Sequence, residues 1–206
     1  MEQQSKLPED MRPWNAAVAS VLAAAEEQGF KIIGVTGDRA GVGVSLLCRE
    51  LGRAYAHSGM PALVVDASHL ELADDAPENA GDASFDLIGA SSKSASGTLV
   101  VNLMDHSGLL PSGRQAVKEL FARAAQRDVT IIVDLPAVRG RSDGAARTLG
   151  VIGAACECVF MVCLSGDTTR ADLSEAISSC KINRIPVMAI IINDWKEPAA
   201  WIASDR

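Results

Sequence analysis

Short apolar runs alternate with amphipathic stretches along most of this chain. The apolar runs predict strands at residues 31–36, 62–66, 99–103, 130–133, 158–164 and 187–192. Between them, apolar positions at spacings of three and four predict helices at residues 13–28, 44–58, 112–127, 143–155 and 168–182. The strands are near-continuous apolar runs, which is typical of strands covered on both faces. The sequence therefore predicts an α/β fold, with a doubly wound, mainly parallel sheet and helices on both of its faces.

Two stretches depart from this alternation. Residues 1–12 are polar and predict a frayed N-terminus. Residues 69–97 are rich in Asp, Glu, Ala, Ser and Gly, with one brief apolar patch at residues 85–88. We interpret residues 69–97 as a mobile insertion. The remainder predicts a single domain over residues 1–206, because this length suits one well-buried core.

Composition and charge argue against several classes of protein. The net charge is −7 and the pI is near 5.0, which argues against nucleic acid or an anionic membrane as the main partner. No run of about 18 residues is apolar enough to span a bilayer, and we expect a cytoplasmic protein. The five cysteines, an odd number without the spacing of a disulfide framework, suit a reducing compartment. The three histidines show no metal-binding spacing, and Cys156-x-Cys158 has no second pair to complete a metal site.

Polar residues follow four of the predicted strands. Thr36 and Gly37 end the first strand, and Asp66, Asp134 and Asn193 end later ones. The carboxyl ends of parallel strands lie at one edge of the sheet, where ligands bind in folds of this kind. The sequence therefore predicts a binding site at this edge.

A glycine-rich segment between the first strand and its helix predicts a phosphate-binding loop. Residues 37–45 read G-D-R-A-G-V-G-V-S, which has one residue more between its outer glycines than the P-loop pattern G-x-x-x-x-G-K-[ST]. Glycines let the backbone N–H groups face an anion at the helix N-terminus. Ser45 stands where the hydroxyl that binds magnesium is expected. The candidate nucleotide-binding residues are Gly37, Arg39, Gly41, Val42, Gly43, Val44, Ser45 and, from the last strand, Asn193.

The lysine of this pattern is missing, because Val44 occupies its position. One charge-assisted contact is worth about 1.5–3 kcal/mol, or roughly ten- to more than a hundredfold in affinity. Three alternatives stay open. The turn is wholly structural and holds no nucleotide, or it binds nucleotide weakly without efficient turnover, or Arg39 within the loop substitutes for the lysine.

Five segments together resemble the bacterial tyrosine kinases (BY-kinases), a family of P-loop NTPases (SIMIBI-like). They are the loop at residues 37–45, the Walker A′-like residues 63–68, the Walker B-like residues 131–137, residues 166–170 and the last strand, residues 188–193. The resemblance covers about residues 13–195, and extends more distantly to the ParA/MinD ATPases. It implies ATP or ADP with magnesium as cofactor, and an adenine contact for Asn193. It also implies Ser45, Asp66 and Asp134 as magnesium ligands, with Asp66 and Asp134 catalytic in an active member.

The departures from the family pattern are as informative as the matches. Ser68 replaces the second Walker A′ aspartate, and Leu70 replaces an arginine often found two residues later. The family's tyrosine cluster has no counterpart, since Tyr55 is the one tyrosine of this sequence. Trp195 and Trp201 flank a short polar stretch, and either pack this tail on the domain or anchor a partner protein.

The resemblance implies a role in making and exporting surface polysaccharide: a capsule, an exopolysaccharide or an adhesin. We interpret the chain as a catalytically degenerate member that docks to an inner-membrane polysaccharide co-polymerase or another export-complex protein. It would then be cytoplasmic and associated with the membrane through that partner, with a homo-oligomer also open. The alternatives are a weakly active ATPase or tyrosine kinase, and a positioning ATPase of the ParA/MinD type. The latter has little support from the end of the sequence, which is too short for an amphipathic membrane-targeting helix.

Overall fold

A computed structural model of the protein describes residues 12–72, 84–111 and 113–194. In chain order, these residues form the elements α1 (Arg12–Gln28), β1 (Ile32–Gly37), α2 (Val44–His57), β2 (Ala62–Asp66), β3 (Ser92–Lys93), β4 (Leu99–Asn102), α3 (Arg114–Ala125), β5 (Thr130–Asp134), α4 (Asp143–Ile152), β6 (Cys158–Leu164), α5 (Arg170–Ile182) and β7 (Val187–Asn193). Short 3-10 segments follow β4 at Leu103–Leu109 and α4 at Gly153–Ala155.

The seven strands form one sheet in the order β3-β4-β2-β5-β1-β6-β7. Every neighbouring pair is parallel except β3 and β4, which are antiparallel. β1 pairs with β5 on one side and with β6 on the other, and all six of its residues are buried. This arrangement confirms the predicted α/β fold with a mainly parallel sheet.

Each face of the sheet carries its own hydrophobic core. On one face, α1 and α2 pack against side chains such as Ile33 and Val35 of β1. On the other face, α3, α4 and α5 pack against the alternate residues of β2, β5 and β6. Because strand side chains point alternately to opposite faces, the continuous apolar runs supply both cores.

Local signals fix two of the helix starts. The Ser142 hydroxyl accepts a hydrogen bond from the Ala145 N–H at the beginning of α4. Thr169 caps α5 in the same way, and the Asp172 carboxylate accepts a bond from the Thr169 N–H, which completes a capping box. The start of α5 is therefore fixed by contacts among residues three positions apart.

The structure corrects the interpretation of residues 69–97 as a mobile insertion. Residues 73–83 lie outside the described residues, but residues 84–97 pack on the domain. Phe85 and Leu87 are buried in the α3–α5 core, and Ser92–Lys93 forms the edge strand β3. The error has a physical reason, because two residues of edge strand carry too short an apolar pattern to predict.

A second correction concerns the last strand, which is not covered on both faces. β7 lies at the sheet edge, and Met188, Ile190 and Ile192 have exposed fractions of 44%, 38% and 68%. The continuous apolar sequence of β7 therefore does not mean that the strand is buried on both faces.

The N-terminus was predicted to be frayed over residues 1–12; residues 1–11 lie outside the described residues, and helix α1 begins at Arg12. The tail with Trp195 and Trp201 also lies outside the described residues. Within the described part of the chain, none of the helices is both long and apolar enough to cross a membrane.

Candidate functional site

The loop between β1 and α2 has the backbone shape that its glycines permit. Gly41 and Gly43 adopt φ values of 80° and 101°, which residues with a side chain rarely adopt. Gly43 is also the N-cap of α2, and its carbonyl oxygen accepts from the Leu47 N–H. The first turn of α2 therefore points its free N–H groups at the space enclosed by the loop.

Contacts from the α1–β7 side hold this loop in place. The Asn193 side-chain amide donates to the Val42 carbonyl oxygen at 2.9 Å. The Trp14 indole lies against Gly43 so closely that a Cβ added there would stand 2.6 Å from the ring. Gly43 is thus required both by its φ and by the approach of Trp14.

A second set of contacts joins the loop to the residues before α5. Asp38 is fully buried, and one of its carboxylate oxygens accepts from the Thr168 hydroxyl at 3.0 Å. The next residue, Arg39, forms an ion pair with Asp167. The Arg39 guanidinium is therefore engaged at the rim of the loop, on the α5 side.

Val44, at the position of the missing lysine, turns its side chain toward the start of the loop. A Cβ added to Gly37 would stand 3.2 Å from a Val44 γ-carbon and 2.5 Å from one of Val42. Val44 also packs against the core beneath α1 and α2. An apolar side chain therefore fills the place from which an ammonium group would reach a bound phosphate.

Two carboxylates stand beside the loop at the ends of β2 and β5. Asp66 and Asp134 are paired in register on these neighbouring strands. One oxygen of Asp66 accepts from both the N–H and the hydroxyl of Ser68, at 3.0 and 2.7 Å. The Ser68 side chain, in place of the family's second aspartate, is thus turned onto Asp66.

Asp134 is the buried member of this pair, with 4% of its surface exposed. Burial raises the pKa of Asp134 to about 6; a hydrogen bond with Ser45 opposes this rise, and the charge of Asp66 adds to it. One oxygen of Asp134 has no hydrogen-bond partner among the described residues. A buried carboxylate oxygen without a partner is costly unless a proton or a cation satisfies it.

A cavity of about 350 Å³ lies between the loop and these carboxylates. Its lining comprises Arg39, Ala40, Gly41, Gly43, Val44, Ser45, Leu46, Ser68, His69, Asp134, Leu135, Pro136 and Ala137. The oxygens of Ser45, Asp66 and Asp134 are the ligand type that Mg²⁺ prefers, and the unpartnered oxygen of Asp134 fits a cation. No group of three or more His, Cys, Asp and Glu side chains suited to a metal occurs in the described ranges, so such an ion would also need water or phosphate oxygens.

No protein-family model matches the chain, and no curated protein matches its sequence. Solved structures of similar fold do match. The kinase domain of Escherichia coli tyrosine kinase ETK gives a TM-score of 0.67 at 18% identity, over 97% of this chain and 85% of that chain. The tyrosine kinase domain of BceF gives a TM-score of 0.61 at 21% identity, over 85% of this chain and 74% of that chain. This chain has the fold of the BY-kinase domains.

The BY-kinase fold is shared with other P-loop ATPases. The MinD cell division protein of Aquifex aeolicus gives a TM-score of 0.56 at 17% identity, over 81% of this chain and 70% of that chain. Cobyrinic acid a,c-diamide synthase from Mycobacterium smegmatis, solved with ADP and magnesium, gives 0.52 at 16% identity, over 79% and 74%. At such identities the likeness establishes the fold, and the chemistry of this chain rests on its own side chains.

Within the BY-kinase fold, the predicted site residues fall into two groups. Loop residues 37–45, Asp66 and Asp134 surround or adjoin the smaller cavity. Asn193 instead supports the loop from behind and lines a larger cavity along β7. The sequence reasoning missed the contacts of Trp14, Asp38 and Thr168 with the loop, since none of these residues belongs to the P-loop pattern. The available signals were the polar residue directly after Gly37 and the matching segment at residues 166–170.

Proposed function

We propose that this chain is a catalytically degenerate BY-kinase-like protein that acts in the biosynthesis and export of a surface polysaccharide. It works from the cytoplasm by docking to an inner-membrane co-polymerase or another protein of the export complex. The polysaccharide is a capsule, an exopolysaccharide or an adhesin. Its contribution is its shape and its partner surface rather than phosphoryl transfer.

The observation that carries this proposal is the packed Val44 in a loop that retains Gly41, Gly43 and Ser45. The position offers a γ-methyl group where phosphoryl transfer needs a positive charge. The nearest cation in the loop, Arg39, is paired with Asp167. Meanwhile Asn193 and Thr168 support the loop by hydrogen bonds within the chain.

The tyrosine and the second acid support the same conclusion. Tyr55 has an exposed fraction of 3% inside α2, so a kinase cannot reach its hydroxyl in the folded protein. Ser68 supplies a hydroxyl bonded to Asp66 where an active member has a carboxylate. Within this sequence, autophosphorylation therefore lacks an accessible tyrosine hydroxyl, and it also lacks one of the acidic side chains that an active member has.

Nucleotide binding is proposed only as a weak and non-catalytic property. Asp134, Asp66 and Ser45 would hold magnesium, which would neutralise phosphate charge when bound. The N–H groups at the start of α2 would face the phosphates. Without the lysine, affinity is expected in the millimolar range or weaker.

Val44→Lys tests the loop directly by calorimetric titration with ATP and ADP in the presence of magnesium. The new ammonium should tighten binding by roughly ten- to more than a hundredfold. Leu46→Lys is the matched control, because Leu46 is exposed on the same cavity and the substitution adds the same charge outside the lysine position. Equal gains in both variants, or micromolar binding by the unaltered chain, would contradict a loop disabled by Val44.

The functional proposal is tested by complementation in a strain that lacks the gene. Asp134→Ala should restore surface polysaccharide as fully as the unaltered protein, provided that both accumulate equally. Failure of a folded Asp134→Ala protein, together with an ATPase rate that this substitution abolishes, would establish an enzyme instead. If Arg39 served as the missing cation in that enzyme, Arg39→Ala should also remove its activity.

A further inference from the structure

The solvent-facing side of α1 and the edge strand β7 together form one uncharged surface. Residues 13–25 of α1 contain no Asp, Glu, Lys or Arg, and the exposed positions described among them are alanine or serine: Ala16, Ala19, Ser20 and Ala23. A surface helix normally carries charged residues on this side. The sequence of β7, V-M-A-I-I-I-N, is also uncharged, and a cavity of about 790 Å³ lies between the two elements. We call them together the α1–β7 surface.

The outer edge of β7 offers backbone groups to another strand. The Asn193 carbonyl oxygen accepts from the Ser165 N–H on the β6 side, and the backbone groups of a strand point alternately to its two edges. Ile190 and Ile192 therefore direct their N–H and C=O groups outward. In the described part of the chain, β6 is the only strand that pairs with β7. A bulge near the start of β7 interrupts this pairing, but residues 189–193 pair regularly and leave an open edge.

Apolar side chains of β7 are exposed on both faces of the sheet. Ala189 is exposed and in register with Phe160 of the α1–α2 core, whereas Ile190 and Ile192 are in register with residues of the opposite core. The exposed fractions of Ile190 and Ile192 are 38% and 68%. An occupant of the cavity beside α1 would therefore leave these two side chains uncovered. Another sheet edge, with helices on both of its faces, would cover the whole strand.

The distribution of charge favours a second copy of this chain as that sheet edge. In a twofold interface each residue near the axis meets its own equivalent, so a charge there repels itself. The chain has a net charge of −7, yet the α1–β7 surface has none at its centre. Exposed residues of opposite charge flank β7, with Arg184 before it and Asp194 after it. Antiparallel pairing of two β7 strands brings the Arg184 end of each strand to the Asp194 end of the other.

The size of this contact is sufficient for a specific dimer. Seven residues of β7 span roughly 23 Å at about 3.3 Å per residue. A sheet edge with a helix layer on each face is roughly 25 Å thick, because a helix with its side chains is about 10–12 Å across. Two facing edges of these dimensions bury roughly 600 Å² per copy, which lies at the lower end of the range for specific interfaces.

We propose that two copies of this chain associate through their α1–β7 surfaces, with the two β7 strands antiparallel across a twofold axis near Ile190. The two sheets then form one continuous sheet, and the outward N–H and C=O groups of Ile190 and Ile192 bond to the other copy. On one face the two α1 helices approach each other, and their alanine and serine side chains allow close contact. Val44, Asp66 and Asp134 take no part in this interface, so it does not depend on the proposed function.

Analytical ultracentrifugation of the full chain without nucleotide tests the proposal. With rising concentration, the unaltered protein should shift from 21.6 kDa to about twice that mass. Ile190→Lys should weaken self-association by about a hundredfold or more, because it places two like charges near the axis. Met104→Lys is the matched control, since Met104 is 47% exposed but follows β4, far from β7 in the sheet. This control should leave self-association unchanged.

A charge exchange separates loss of the interface from loss of the fold. Ile190→Glu alone should weaken self-association as Ile190→Lys does. An equimolar mixture of the two variants should recover the dimer, because opposite charges then meet near the axis. Two folded variants that stay monomeric when mixed would overturn the antiparallel arrangement.

Amide hydrogen exchange of the unaltered protein checks the same contact without substitutions. Exchange at residues 189–192 should be slower at concentrations where the dimer dominates than at concentrations where the monomer does. A dimer without this difference, or one that Ile190→Lys and Met104→Lys weaken equally, would overturn the proposal. A protein that is monomeric at every soluble concentration would also overturn it, and would mean that another segment of the chain or a different protein covers β7.

Discussion

At the scale of single residues, Asp134 is a carboxylate at this site whose burial raises its pKa well above the ordinary value. It is buried next to Asp66, and one of its oxygens has no partner among the described residues. Burial disfavours the charged form of an unpaired carboxylate, so the folded protein binds a proton at Asp134 more tightly than the unfolded chain does. Stability should therefore depend on pH through this one side chain.

We predict that Asp134→Asn changes the pH dependence of unfolding. The pKa of Asp134 is raised from 3.8 to about 6 in the folded protein, so its stabilising proton is fully bound below about pH 3.8 and is lost as the pH rises through 6. An asparagine amide at this position has no such proton to lose. The variant should therefore gain up to about 3 kcal/mol relative to the unaltered protein between about pH 3.5 and about pH 7.5. Urea unfolding at the two pH values measures this.

Asp105→Asn, at an exposed position of the Leu103–Leu109 segment, controls for the substitution itself. A difference for Asp134→Asn that is constant across the pH range, or that runs in the opposite direction, would contradict the assigned burial effect.

At this scale the sequence predicted positions better than contacts. Asp66, Asp134 and the loop were correctly brought to one edge of the sheet, because strand ends of a parallel sheet must meet there. The packing of Trp14 on Gly43 could not be predicted, because it depends on where α1 crosses the sheet. Arg39 illustrates the same limit, since its pairing with Asp167 joins residues 128 positions apart.

At the scale of elements, two adjacent residues in the connection from β6 to α5 have different structural roles. Thr169 caps α5, while Thr168 turns its hydroxyl to the buried Asp38 and also accepts from the Leu164 N–H at 3.2 Å. The phosphate loop and the start of α5 are therefore joined through one hydroxyl group.

We predict that Thr168→Val lowers the free energy of unfolding by about 1–3 kcal/mol, because Asp38 loses a hydrogen bond in a fully buried position. Thr168→Ser keeps the hydroxyl and should cost less than about 1 kcal/mol. Chemical denaturation of the two variants measures the difference. Equal losses would show that the methyl packing of Thr168, and not its hydroxyl, matters.

The predicted elements agree with the structure wherever a local signal marks their ends. Thr169 caps α5, and a hydroxyl directly before a helix is a local feature of the sequence. By contrast, β3 consists of Ser92 and Lys93, and its partner β4 alone defines it. A strand this short, which is defined only by its pairing with a neighbour, has no hydrophobic pattern from which it could be predicted.

At the scale of the whole molecule, stability depends on the two cores, both of which include buried side chains of β1. We predict that Ile33→Ala, in the fully buried centre of β1, lowers the free energy of unfolding by about 2–5 kcal/mol. Ile182→Ala, at 82% exposure near the end of α5, should change it by less than about 0.5 kcal/mol. Thermal and urea unfolding of the pair would test this, and comparable losses would contradict a core centred on β1.

The position of β1 in the sheet also has a consequence for synthesis on the ribosome. β1 is the first strand made, yet both of its neighbours, β5 and β6, come roughly 100 residues or more later in the chain. At about 5–20 residues per second, roughly 6–24 seconds pass between synthesis of β1 and of β6. During that interval a strand that is buried on both faces in the folded protein is unpaired in the nascent chain, and exposed apolar strands of this kind are prone to aggregate.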